Sequence, residues 1–156
     1  MKILILGAGR VGSSLASTLS RQEYEVSIVD LNKDKLLRLQ EDYDLATEIG
    51  HASHPITLEK AGADEETIVL AVTNSDECNI TSCQIAKSKF NVKKTICRLS
   101  DSAYLESLEA FGKDNIDIAI GPENEVTEHL VDLIKHPGAE QIESFANGSL
   151  KAVSVK

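Results

Sequence analysis

The feature that most constrains this chain is an apolar run that ends in a glycine turn. Residues 3–6, Ile-Leu-Ile-Leu, have the length and unbroken hydrophobicity of a strand buried on both faces, and they lead straight into Gly7-Ala8-Gly9-Arg10-Val11-Gly12. A helix follows, with Val11, Leu15 and Leu19 on one stripe. Residues 25–29 then form a second strand that ends in Asp30, eighteen positions after Gly12.

Each part of this unit has a physical task. Gly7 allows the tight turn, Gly9 lets a pyrophosphate approach the backbone, and Gly12 lets the helix pack closely on the strand. The exposed N–H groups at the helix start bind the phosphates. Asp30 accepts hydrogen bonds from an adenosine ribose and repels a 2′-phosphate, so NAD(H) or an adenine nucleotide is favoured over NADP. A glycine turn alone is a weak signal; here both strands, the helix and the acid accompany it. The expected fold is α/β, a Rossmann-type doubly wound parallel sheet.

Composition sets the outer limits. A chain of 156 residues with 42% hydrophobic content holds one α/β core and buries roughly two-thirds of its unfolded surface. With 25 acidic and 16 basic residues, a net charge of −9 and no basic cluster interleaved with aromatics, nucleic acid is excluded as the main partner. Trp is absent and aromatics make up 4%, which excludes a base-stacking platform. No apolar run approaches the ~20 residues of a membrane span. Met1 leads directly into a strand without a signal segment, so the expected location is cytoplasmic. Cys78, Cys83 and Cys97 match neither a disulfide framework nor a zinc site and are expected as reduced, packed thiols.

Along the chain, Asn32 caps a second helix over residues 33–43, with Leu36, Leu37 and Leu39 facing inward. Residues 45–49 form a third strand closed by Gly50. The loop Gly50-His51-Ala52-Ser53-His54-Pro55 follows on the ligand side of the sheet, and Pro55 suits the first turn of a short helix over residues 56–61. His51 and His54 have no further ligand at metal spacing and are expected in loop hydrogen bonds. Residues 67–72 form a fourth strand ending in Thr73-Asn74-Ser75-Asp76, which starts a helix running to residue 89.

In an open parallel sheet the fourth strand lies beside the first, so Thr73 and Asn74 should emerge beside the glycine turn. Capping of the helix by Asn74, Ser75 and Asp76 is compatible with that role. A fifth strand, residues 95–98, ends in Arg98, where a guanidinium reaches a phosphate or is simply an exposed strand end.

A helix over residues 103–111 and a strand over 116–120 complete the sheet. A surplus amphipathic helix, residues 125–135, is stopped by His136-Pro137-Gly138, and its apolar face calls for a further surface, such as a second subunit. Residues 139–146 and 149–156, around Asn147-Gly148, read as a hairpin with a type I′ turn. The chain stops inside a strand, and the expectation is a piece of a longer protein. The predicted divisions are 1–123, a nucleotide-binding domain; 124–138, a crossover helix and linker; and 139–156, the start of a second domain.

These residues resemble the TrkA family, regulatory subunits of bacterial potassium uptake systems whose N-terminal part is an RCK, or KTN, domain. The matching stretches are residues 2–12, Ile28-Val29-Asp30, Gly50-His51-Ala52-Ser53-His54-Pro55, residues 71–77 and His136-Pro137-Gly138-Ala139. The glycine turn is shared with many dehydrogenases, whereas Val72-Thr73-Asn74-Ser75-Asp76-Glu77 and the loop at 50–55 are more particular. The resemblance implies a non-catalytic homo-oligomer, a dimer here and a tetrameric ring when full length. It would be peripheral on the cytoplasmic side of the inner membrane, bound to a TrkH-like potassium transporter subunit. NAD(H) or ATP/ADP would reshape the ring and alter ion flux.

The resemblance further implies that residues 139–156 open a C-terminal RCK domain, and that Gly7 to Val11, Asp30, Thr73, Asn74 and Arg98 form the nucleotide site. One departure is Gly50-His51, where many relatives carry Gly-Asp. Glu123 corresponds to an acidic position linked in some relatives to a divalent ion near ATP. The competing readings are a fragment of an NAD-dependent oxidoreductase, for which no general acid or base and no substrate domain is evident, and an interaction module with a vestigial site.

Overall fold

The structure, a computed structural model, describes residues 1–107 and 115–121 together with the backbone of two further strands, Ala139–Phe145 and Leu150–Val155. The chain divides into two units, Met1–Pro122 and Glu123–Lys156.

In the first unit strands and helices alternate. They run β1 (Lys2–Leu6), α1 (Arg10–Arg21), β2 (Glu25–Asp30), α2 (Lys33–Asp42), β3 (Ala46–Ile49), α3 (Pro55–Lys60), β4 (Thr67–Ala71), α4 (Asp76–Phe90), β5 (Lys94–Arg98), α5 (Ser102–Glu106) and β6 (Ile118–Ile120). All six strands pair in parallel in the order β3-β2-β1-β4-β5-β6. This is the doubly wound order that the sequence predicts, with its reversal between β1 and β4.

Register decides what meets at the reversal. Leu6 is level with Val29 on one side and Ala71 on the other, and Ala71 is level with Cys97. The residues that end or follow these strands, Gly7, Asp30, Val72 and Arg98, therefore lie at one edge of the sheet. The central strands are apolar throughout because helices cover both faces: Ile3, Leu4, Ile5 and Leu6 are each at most 1% exposed. Burying each such side chain stabilises the fold by about 1.5–3 kcal/mol. On one face Leu4, Leu6, Val69 and Ala71 pack with Cys83 and Ala86 of α4 and with Cys97 of β5.

The structure adjusts several expected boundaries. The core stripe of α1 is Gly12, Leu15, Ala16 and Leu19, while Val11 is half-buried because it sits in the first turn, at the rim of the sheet. In α2, Leu36 and Leu39 are buried but Leu37 is 44% exposed, since a residue one position from Leu36 is turned about 100° away on a helix. Asn32 caps α2, its side chain accepting from the N–H groups of Asp34 and Lys35. Pro55 is the first residue of α3. β6 begins at Ile118, after the buried Ile116. No helix among the described residues is long and apolar enough to cross a membrane.

In the second unit β7 (Ala139–Phe145) and β8 (Leu150–Val155) pair antiparallel, Phe145 opposite Leu150, with an irregularity between Ala139 and Gln141. The Asn147-Gly148 turn, the helix expected over residues 125–135, the last turns of the helix expected over 103–111, and Glu123 lie outside the described residues.

Candidate functional site

The glycine turn has the geometry that its three glycines require. Gly7 has φ +107°, a left-handed conformation that favours glycine, and its N–H bonds to the Val29 carbonyl at 2.8 Å. A Cβ on Gly7 would stand 3.0 Å from the Cα of Thr73, so the turn lies directly against the segment leaving β4. A Cβ on Gly12 would stand 1.8 Å from the Gly7 carbonyl oxygen, which leaves no room for any side chain there. At Gly9 a Cβ would meet nothing within 4 Å. That glycine is exposed, forms the N-cap of α1 and supplies no side-chain cap. Its surface of backbone faces outward at the start of a 12-residue helix whose first turn contains Arg10, Val11 and Gly12.

Asp30 ends β2 next to this turn. One carboxylate oxygen accepts the Ala8 N–H at 2.6 Å and the other the Asn32 N–H at 2.8 Å. The acid and the glycine turn are thus one hydrogen-bonded unit.

On the other side of the reversal, Thr73 and Arg98 come together: the Arg98 Nη1 donates to the Thr73 carbonyl at 3.3 Å. Asn74, the next residue, is exposed. The capping role falls to Ser75, whose hydroxyl accepts the Cys78 N–H, and the Thr73 hydroxyl donates its one proton to the Asn79 Oδ1 at 2.7 Å, with the Ser75 carbonyl 3.1 Å away. Of the ten predicted residues, Gly7, Ala8 and Asp30 form one linked group, and Thr73 and Arg98 form a second that touches it at Gly7. Gly9, Arg10, Val11 and Gly12 carry the turn into α1. Asn74 is placed beside them by chain continuity alone.

In this region the sequence reading missed Asn79 and expected Asp76 only as a helix cap. Asn79 is fully buried, and Asp76 is 8% exposed. Asp76 does not cap its own helix; it reaches across to accept the N–H of Ser100 with both oxygens, at 2.9 and 2.8 Å, and that of Asp101 at 2.8 Å. The signal was present in the spacing: residues 76, 79, 83 and 86 recur at helical intervals on the buried stripe of α4, so two polar residues stand where the pattern calls for apolar ones.

Other groups are occupied locally. The Nδ1 of His51 accepts from the Ser53 N–H at 3.3 Å and lies 2.9 Å from its hydroxyl. No group of three or more His, Cys, Asp or Glu among the described residues is arranged to hold a metal. Hydrogen bonding with Cys97, together with complete burial, pushes the Cys83 thiol well above its usual range, which keeps it unreactive. The Tyr104 hydroxyl donates to Glu77 at 3.0 Å. Glu77 titrates below its usual range, chiefly through its own backbone N–H and then through the Ser75 and Tyr104 hydroxyls.

A parallel sheet in this order, with a Gly-x-Gly-x-x-Gly turn at the reversal and an acid ending β2, is a Rossmann-type domain. The TrkA-N domain family matches residues 3–122, and the chain belongs to that family. It is 44% identical to the Trk system potassium uptake protein TrkA of Vibrio alginolyticus over 159 residues, covering 100% of this chain and 35% of that protein. The chain thus spans about a third of the length of that curated relative. Among solved structures, it resembles the GsuK channel bound to NAD with a TM-score of 0.61 and 19% identity, over 76% of this chain and 21% of that one. It resembles GsuK bound to ADP with a TM-score of 0.61 and 20% identity, over 77% and 31%. At this identity the likeness to both structures is one of fold.

Proposed function

We propose that this chain is the nucleotide-binding part of a cytoplasmic regulatory subunit for potassium uptake, and that it binds without catalysing a reaction. The observation that carries the nucleotide reading is the 2.6 Å bond between Asp30 and Ala8. It joins the carboxylate suited to an adenosine ribose to the turn suited to a pyrophosphate. Gly7 to Gly12 would receive the phosphates and Asp30 the ribose. Thr73, Asn74 and Arg98 would close the other side, with the guanidinium on a phosphate. NAD(H) fits this arrangement, and so do ATP and ADP; the solved relatives with NAD and with ADP support both classes.

The potassium reading follows from what the TrkA relatives are named for. In it, residues 124–138 form the crossover helix and linker, and 139–156 begin a second domain. The protein acts as a homo-oligomer, through the apolar face expected at 125–135, docked at the inner membrane on a transporter subunit. Nucleotides change flux only to the extent that they bind two arrangements of the oligomer with different affinity.

Thermal shifts test the site directly. NAD⁺, NADH and ADP should each raise the melting temperature, since a ligand at a hundred times its Kd adds about 2.7 kcal/mol to stability. NADP⁺ should raise it much less. Equal shifts from NADP⁺ and NAD⁺ would remove Asp30 from the ribose, and no shift from any of them would remove the nucleotide site.

A further inference from the structure

We infer that Asn79 is a positioning residue of the nucleotide cleft, holding Thr73 and Arg98 at the separation that a bound phosphate requires; the inference rests on the nucleotide reading above. Asparagine offers two acceptor lone pairs and two N–H donors, and here all four are engaged by two residues. The Oδ1 accepts the Thr73 N–H at 2.9 Å and the Thr73 hydroxyl at 2.7 Å. The Nδ2 donates to the Thr73 carbonyl at 3.2 Å and to the Arg98 carbonyl at 2.9 Å. These partners also settle the amide's orientation, because a carbonyl oxygen turned toward two other carbonyls would repel both.

The place where this happens is where the pairing of β4 with β5 stops. The β4–β5 ladder ends with Ala71 beside Cys97. Thr73 lies two residues beyond this point and Arg98 one; Arg98 ends β5 and is still paired with Ile120 of β6 on its far side, while on the β4 side the Asn79 side chain bridges it to Thr73. The Thr73 carbonyl that Asn79 holds also receives the Arg98 guanidinium at 3.3 Å, and the Thr73 backbone stands against Gly7. Beyond the strand register, the Arg98 guanidinium therefore meets the glycine turn through Thr73, whose N–H and carbonyl are both held by Asn79. A fully buried polar side chain is costly unless every hydrogen bond is made, and on this stripe of α4 an alanine or cysteine serves packing equally well, as Ala86 and Cys83 do. Asp76, three residues earlier, is the internal comparison: it is also buried and bonded to backbone, but its partners are Ser100 and Asp101, so it stabilises the fold without touching the cleft.

Calorimetry with ADP and with adenosine on the whole chain tests this. Asn79→Ala and Asn79→Asp, the latter setting a carboxylate oxygen against two carbonyls, should weaken ADP by about tenfold or more and adenosine by less than about twofold. Adenosine meets Asp30 and carries no phosphate for Arg98. Asp76→Asn should lower the melting temperature while keeping the ratio of ADP to adenosine affinity. An unchanged ratio in folded Asn79 variants would overturn the inference, and so would an equal loss for both ligands. If the wild-type chain binds neither ADP nor NAD⁺, the nucleotide reading itself fails, which is a different result. Should both Asn79 variants fail to fold, the side-chain amide resonances of Asn79 in the unmutated protein decide. They should shift on saturation with ADP and stay in place with adenosine, and resonances that ignore ADP would overturn the inference.

Discussion

The two ends of the six-stranded sheet are both held by carboxylates, but with different partners. At the amino end, Asp64 pairs with Lys2 and accepts the Thr67 hydroxyl at 2.7 Å, and Asp117 pairs with Lys87 at 2.9 Å while accepting the Thr95 N–H at 2.7 Å. At the carboxyl end, Asp30 accepts the N–H groups of Ala8 and Asn32, and Asp76 those of Ser100 and Asp101. The first arrangement neutralises charge and ties strand beginnings together. The second spends its carboxylates on the backbone, so what it sets is the path of the glycine turn and of the segment after β5. One end is built to be closed; the other is built to hold a shape.

The sharpest break of this comparison is within the turn itself. Gly12→Ala places a Cβ 1.8 Å from the Gly7 carbonyl, so α1 must move off β1. A loss of about 3 kcal/mol is expected, seen as a fall in melting temperature of about 10 °C by calorimetry. A wild-type melting temperature in this variant would mean that the close approach of helix and strand is not needed.

A smaller effect on stability, with a larger one on binding, is expected at Gly9. A Cβ there meets nothing within 4 Å in the protein itself, so Gly9→Ala should change stability by no more than about 1 kcal/mol, the loss of a favourable N-cap being offset by a stiffer unfolded chain. Nucleotides should all weaken together in titration calorimetry, because the methyl occupies the surface that a pyrophosphate approaches. Unchanged affinity would show that the pyrophosphate lies elsewhere.

The smallest effect belongs to the amino end. The Asp64 carboxyl is held below its usual range, first by its bond from Lys2 and then by the Thr67 hydroxyl. A depressed carboxylate contributes stability that is present above its unfolded pKa, about 3.9, and lost as pH falls through the lower folded value. Both side chains of the pair are 40% exposed, so solvent screens it and the contribution is modest. Lys2→Met should flatten the acid limb of stability below about pH 4, followed by chemical denaturation, without altering nucleotide affinity near neutral pH. A change in affinity instead would show that the two ends are coupled.

Much of this was legible in the residues. Four consecutive apolar residues followed by Gly7, Gly9 and Gly12, with Asp30 closing the next strand, leave few alternatives to a buried parallel strand, a tight turn and a helix packed against it, because each step is a local rule about φ, burial or spacing. The placement of Thr73 and Arg98 at the reversal follows from the same rules, once β4 is recognised as lying beside β1.

What the amino acids determined alone is therefore whatever depends on neighbours in the chain: the glycine turn, the cap at Asn32, Pro55 at the head of α3, and the alternation of strand and helix. The tertiary structure decided which of several equivalent residues meets what. Leu36 and Leu37 are chemically alike, yet only the face of α2 turned toward the sheet is buried. Asp76 reads as a helix cap and Asn79 as an ordinary helix residue until the sheet order sets β4 and β5 beneath α4 and brings the Thr73 and Arg98 carbonyls and the Ser100 and Asp101 N–H groups within reach. Hydrogen bonds spanning 19 to 25 residues depend on where distant backbone comes to rest, and no local pattern records that position.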